Sequence, residues 1–216
     1  MKEKLLIIGA GGHGKVCADI ALKMRKWKTI TFLDDNENIK EVLSIKVIGK
    51  TKDFTKFIDS HDIFVAIGNN YTRKSIIELL TEHNASIPTL VHPCAVIASN
   101  VTIDMGSVVM ANVVINSDSK IGKGCILNTA STIDHDNIIG DYVHISPGVN
   151  LAGNVIIGNC TWLGIGSKVI NNISISCDCI IGAGGVVIDN INEVGKYVGV
   201  PVRRLYDNEK NIDISK

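Results

Sequence analysis

From Ile97 to Val187 every sixth residue is Ile, Leu or Val, sixteen times without a slip. A fixed period of six is the mark of a parallel β-helix, in which each hexapeptide supplies one short strand and a turn. Three strands close a triangular coil of eighteen residues, and the aliphatic side chain points inward onto its counterparts above and below. A smaller residue recurs two positions before each aliphatic, as at Val101, Ser107, Val113, Ser119, Cys125, Ser131, Asn137 and Val143. It must also face inward, at a tight corner. Glycine often follows the aliphatic (Gly122, Gly140, Gly158, Gly164, Gly182), where a turn needs a permissive backbone. The run predicts roughly five coils with no inserted loop.

Counting in eighteens separates the outer faces. Side chains alternate along a strand, so the residue before each aliphatic points outward. One face then carries Val108, Ile126, His144, Trp162 and Ile180, an apolar ladder. Exposed apolar patches of this size mark interfaces, which predicts an oligomer packed through that face with His144 in its middle. The other faces are mixed: Thr102, Lys120, Ile138, Ile156 and Ser174 on one, Val114, Thr132, Asn150, Lys168 and Val186 on the other.

Residues 1–86 have a different rhythm. Residues 5–8 read as a buried strand, followed by a glycine turn and helical spacing over 15–24. Residues 29–33 and 62–67 read as further strands, and 75–83 as a second helix. Alternating strands and helices imply a small parallel sheet. Residues 84–93 read as the connection, with Pro88 and Pro93 as breakers. The turn fits G-x-G-x-x-G through Gly9, Gly11 and Gly14, and Asp34 follows twenty residues later. That pattern holds phosphate on backbone N–H groups at a helix N-terminus and a ribose hydroxyl on the carboxylate. The domain is about half a full dinucleotide fold, and His13 intrudes into the loop. A nucleotide fragment therefore suits it better than NAD.

Twenty-two basic and twenty-two acidic residues balance, so nothing points to nucleic acid or an anionic membrane. No apolar stretch approaches the ~20 residues of a membrane span, and the apolar start is too short for a signal peptide. Cys177 and Cys179 form a C-x-C pair without a second pair, which is no metal pattern. Cys125 and Cys179 fall at the small inward position. Free thiols and the lack of an export signal predict a cytoplasmic protein.

Six stretches, IIGAGGHGKV (7–16), FLDDN (32–36), VAIGNN (65–70), ILNTASTIDHD (126–136), LGIGS (163–167) and VGVPVRR (198–204), give the chain a family likeness. It resembles the nucleotide-sugar N-acetyltransferases of the hexapeptide superfamily, nearest those that acetylate UDP-4-amino-sugars toward bacillosamine. The sialic acid O-acetyltransferases share the plan. The resemblance implies a Rossmann-like nucleotide-sugar domain over 1–86, a left-handed β-helix acetyltransferase domain over 87–204 and a polar tail over 205–216. It also implies a homotrimer, with acetyl-CoA lying between coils and a nucleotide-linked 4-amino-4,6-dideoxy sugar as acceptor. No metal is implied. His135 matches the general base. The acid beside it is Glu in the nearest group and Asp136 here, with Asp134 as second candidate. His144, Ile165 and Ala183 match contacts to acetyl-CoA, Ala183 standing where Gly is usual. Gly11, Gly12, His13, Asp34, Asp35 and Gly68 match nucleotide-sugar contacts. Arg203 and Arg204 could meet coenzyme phosphates or form an exposed basic turn.

The base assignment agrees with the chemistry. An attacking amine must lose a proton, and neutral imidazole accepts one near pH 7. Three other readings compete. An O-acetyltransferase would use the same base on a sialic acid. A non-catalytic nucleotide-sugar sensor would leave the Asp-His-Asp run unexplained. A hexapeptide-class zinc carbonic anhydrase needs three imidazoles, and the coils offer only His135 and His144. His61, His83 and His92 are expected on the surface.

Overall fold

The computed structural model describes residues 2–206. The N-terminal unit is built from β1 (Lys4–Ile8), α1 (Gly12–Met24), β2 (Thr29–Leu33), the small hairpin of β3 (Glu41–Val42) and β4 (Ile45–Lys46), β5 (Asp62–Val65) and α2 (Asn70–Glu82). The sheet is parallel in the order β2-β1-β5. The four residues after Lys4 in β1, and all of β5, are buried on both faces, which is why they read as unbroken apolar runs. α2 begins five residues before the expected start. The Asn69 side chain accepts from the Tyr71 and Thr72 N–H groups and caps the helix.

The coils follow, and all sixteen aliphatics fall on the second residue of a two-residue strand. The first face stacks β6 (Leu90–Val91), Val108–Val109, Ile126–Leu127, His144–Ile145, Trp162–Leu163 and Ile180–Ile181. The second face stacks six strands from Val96–Ile97 to Val186–Val187, and the third stacks five from Thr102–Ile103 to Ser174–Ile175. The solenoid thus starts one repeat before the run that begins at Ile97, within the 87–204 domain that the resemblance implies. Val91 occupies the aliphatic position six before Ile97, and the span expected as pure connection already pairs with Val108–Val109. Inward aliphatics such as Ile115, Ile133, Ile145 and Leu163 are fully buried, each stabilising the stack by roughly 1.5–3 kcal/mol.

The turns work differently from the sequence expectation. The left-handed residue is the third after each aliphatic from Ile97 to Ile181, for example Asp136 (φ 59°), Tyr142 (φ 59°) and Asn154 (φ 56°). The glycine directly after the aliphatic serves close approach instead. A Cβ on Gly140 would lie 2.9 Å from the Asn159 nitrogen, and one on Gly164 2.8 Å from the Ala183 nitrogen.

A hairpin of Lys196–Gly199 and Val202–Leu205 closes the last coil, pairing with Ile180–Ile181. Leu205, expected in the tail, ends this hairpin; residues 207–216 lie outside the described residues. Among the described residues no helix is long and apolar enough to cross a membrane.

Two expectations change here. Val108 and Ile126 are 0 % and 1 % exposed. They belong to one apolar cluster with Leu5, Ile7, Cys17, Ile20 and Ala21 of the N-terminal unit. The lower half of the apolar ladder is therefore covered by the chain itself, and its apolar character needs no second copy. His61 and His92 are also buried, not surface residues. His61 packs edge-on against Phe57 and bonds Ser60, and His92 Nδ1 accepts from the Cys94 N–H.

Candidate active site

The glycines of the first loop divide into two groups. Gly9 has φ +102°, and a Cβ on Gly14 would stand 2.0 Å from the Gly9 oxygen, so both serve the strand-to-helix turn. Gly11, Gly12 and Gly68 have nothing within 4 Å of an added Cβ. They line a cavity of about 390 Å³ with His13, Asp34 and Asp35, so the six residues expected at the nucleotide-sugar site share one cavity. The two acids also hold its loops. Asp34 accepts from the Ala10 and Asn36 N–H groups at 2.6 and 2.8 Å, and Asp35 accepts from Thr51 N–H at 2.9 Å.

A second cavity, of about 360 Å³, lies between the loop after β5 and the first coil face. Gly68 lines both cavities. His144, Trp162 and Ile180 form the coil wall of the second. The His144 ring stacks on Trp162 at 5.9 Å, and the indole N–H donates to Ser146 Oγ. His144 Nε2 is buried without a partner. Buried polar atoms are rarely left so, and a ligand oxygen or nitrogen would complete it.

His13 and His144, half-buried at the two cavities, are both held neutral. Burial, with the Arg73 charge added, lowers His13 to about 4. Burial lowers His144 to about 3, with Arg73 and His13 contributing. The unfolded chain takes up protons near pH 6.5 that the folded chain refuses, so stability is full above that pH and falls as pH drops toward 4. Thermal midpoints are expected to fall over that window, and His144→Asn to flatten the fall. A midpoint that stays constant from about pH 7 to 4 would contradict it.

His135 sits elsewhere. It occupies the turn between the second and third faces, the edge opposite the first face. Its Nδ1 lies 2.7 Å from Asp136 Oδ2. That bond, together with the charges of Asp134 and Asp136, raises the His135 pKa above its ordinary value. Asp136 is thus the acid that meets the ring. Asp134 instead accepts from the His135 N–H at 2.9 Å and from the Asn116 side chain at 2.8 Å.

Two residues not read from the sequence as part of the site frame this turn, Asn137 among them being the inward residue its spacing predicts. Gly153, eighteen residues on, lies under the imidazole, where a Cβ would come within 2.6 Å of Cε1 and 2.7 Å of Nε2. Asn137 is fully buried behind the turn. Its amide donates to the Asp134 and Ala152 oxygens and accepts from Val155 N–H, tying the turn to the next coil.

Ile165 and Ala183 lie on another edge, between the first and second faces, in successive coils. Both are exposed, and their N–H groups have no backbone acceptor among the described residues. Arg204 pairs with Glu193 and donates to the Val194 oxygen, whereas Arg203 is exposed. Among the described residues no three His, Cys, Asp or Glu side chains gather as a metal would require. Cys17, with Sγ 3.6 Å from His13 Nε2, is a buried thiol that burial keeps protonated.

Residues 4–80 match the PglD N-terminal domain. The whole fold is shared with the acetyltransferase domain of PglB from Neisseria gonorrhoeae FA1090 in complex with acetyl coenzyme A. The two are 37 % identical with a TM-score of 0.92, over 95 % of this chain and 100 % of that one. The chain belongs to the PglD-like family of sugar N-acetyltransferases. A second family member, PerB from Caulobacter crescentus in complex with CoA and GDP-perosamine, is 34 % identical with a TM-score of 0.89. That match covers 94 % of this chain and 97 % of PerB. The UDP-N-acetylbacillosamine N-acetyltransferase of Bacillus subtilis (strain 168) is 35 % identical over 112 residues, 50 % of this chain and about half (52 %) of that protein. The glycine loop, β5 and most of α2 fall within the part matched to the PglD N-terminal domain.

Proposed function

We propose that the chain is an acetyl-CoA-dependent N-acetyltransferase acting on the amine of a nucleotide-linked 4-amino-4,6-dideoxy sugar, with His135 as general base. The observation that carries this reading is the His135–Asp136 pair, exposed and seated over Gly153. With Nδ1 engaged by the carboxylate, Nε2 is the atom left to take a proton. As the amine nitrogen attacks the acetyl carbonyl carbon, Nε2 accepts the amine proton. The carbon–sulfur bond then breaks, and the proton returns to the departing thiolate. The neutral His144 wall and the free N–H groups of Ile165 and Ala183 suit the acetyl-CoA side. PglB's complex with acetyl coenzyme A and PerB's with GDP-perosamine support both substrates.

The three parts lie on different sides of one prism: the His144 cavity at the first face, joined to the glycine cavity through Gly68, the Ile165 edge beside it, and His135 on the edge opposite. A single chain thus holds His135 and the two cavities on opposite sides. The reading therefore places each site between copies, His135 of one facing the glycine cavity of the next, as a homotrimer provides. Free sialic acid as acceptor is less well supported, because it would leave the glycine cavity without a nucleotide to hold.

Thiol release from acetyl-CoA tests the reading, measured across UDP-, GDP- and dTDP-4-amino-sugars with free sialic acid alongside. Release with one nucleotide sugar, yielding an N-acetylated product, is expected. Release only with sialic acid, or with none of the acceptors, would overturn it.

A further inference from the structure

Arg73 lies in the first half of α2 and is 1 % exposed. None of the ion pairs among the described residues includes it. A buried cation without a carboxylate is costly unless every donor is satisfied, and here all five are. Nε donates to the Gly124 oxygen at 2.7 Å, and Nη1 to the Ile67 and Gly68 oxygens at 3.0 Å each. Nη2 donates to Asn70 Oδ1 at 2.8 Å and the Tyr142 oxygen at 2.9 Å.

These acceptors belong to two different structures. Ile67 and Gly68 line the glycine cavity, and Gly68 also lines the cavity facing His144. Gly124 and Tyr142 are turn residues of successive coils, on the edge between the third and first faces. The rest of α2 follows the same edge. Ile77 meets Gly106 and Gly124, Asn70 donates to the Cys160 oxygen at 2.8 Å, and the Tyr71 hydroxyl donates to Asp178 at 2.9 Å. One helical turn rises 5.4 Å and neighbouring strands lie about 4.8 Å apart, so α2 advances about one turn per coil.

We infer that Arg73 is a positioning residue whose planar fork sets the distance between the glycine-loop cavity and the coil face, and so the placement of the acceptor sugar against the His144 wall. This rests on the acetyl-transfer reading above. Arg73 touches neither ligand, because its donors are spent on the protein. Lysine keeps the charge but cannot reproduce the fork. A misplacement of about 1 Å between reacting groups costs ~10²-fold in rate.

The test is Arg73→Lys in the full-length protein. Turnover is expected to fall ~10²-fold while the KM values for acetyl-CoA and nucleotide sugar stay within about threefold. Turnover near wild type in the folded variant, or a loss confined to KM, would overturn the inference. Should Arg73→Lys fail to fold, Asn70→Ala removes one acceptor of the fork and is expected to lower turnover about tenfold; unchanged turnover there would overturn it too. Ile77→Val loosens the same helix without touching the fork and is expected to leave turnover within about twofold. A loss there equal to that of Arg73→Lys would overturn the role of the fork. An inactive wild-type protein would count against the acetyl-transfer reading alone. Hydrogen exchange would still judge Arg73: amides of α2 and residues 67–68 are expected to exchange faster in Arg73→Lys, and unchanged protection would overturn the inference.

Discussion

His135→Ala is expected to lower turnover by ~10²–10⁴-fold, the range for loss of a general base, with acetyl-CoA binding intact. Binding survives because His135 is an exposed turn residue and no part of either cavity wall. The pH profile sharpens the expectation. A base works only when neutral, so kcat/KM should rise with pH through the His135 pKa. The Asp136 bond holds that pKa above the ordinary histidine value. Asp136→Asn removes the carboxylate, lets the pKa fall and moves the acidic limb to lower pH. Near-normal turnover in His135→Ala removes this residue from the mechanism. An acidic limb that stays in place in Asp136→Asn removes Asp136 as its partner.

The second large effect is expected at a residue with no functional group. Gly153→Ala puts a methyl group where the His135 ring now lies, 2.6 Å from Cε1. The neighbour it meets is the end of an exposed side chain, which can swing aside, so the fold should lose little stability. The ring, however, leaves its seat and its bond to Asp136. Turnover is expected to fall ~10²-fold, the scale of a misplaced reacting group, with the melting temperature nearly unchanged. Wild-type turnover would show that the ring need not lie over Gly153. A large drop in melting temperature would show that Gly153 serves the coil instead.

The period of six made the coils legible to the residue, because each aliphatic stacks on its own kind and the strands repeat without insertion. Val91 does not read as a repeat position because His92 and Pro93 follow it, and a proline reads as a break; here the proline falls in a turn. The start of α2 was hidden by Gly68-Asn69-Asn70, which reads as a loop until Asn69 is seen to accept two helix N–H groups. The apolar ladder reads as an oligomer interface, because the sequence does not show that the chain's own first domain covers its lower half. Gly153 was legible in principle, since it stands eighteen residues after His135. Arg73 was not. A charged residue on a helix is expected in water, and the carbonyls that satisfy it come from turns 51 and 69 residues further on.

The proposed assembly of each site from two copies is tested directly by mixing two inactive variants. Gly12→Val points a side chain into the glycine cavity, where an added Cβ meets nothing of the protein, so it should fold yet exclude the nucleotide sugar. His135→Ala should fold yet lack the base. Co-expressed and purified together, the two should regain thiol release, because some junctions join an intact glycine cavity to an intact His135. A mixture as inactive as either variant alone, in oligomers shown to contain both, would contradict a site shared between copies.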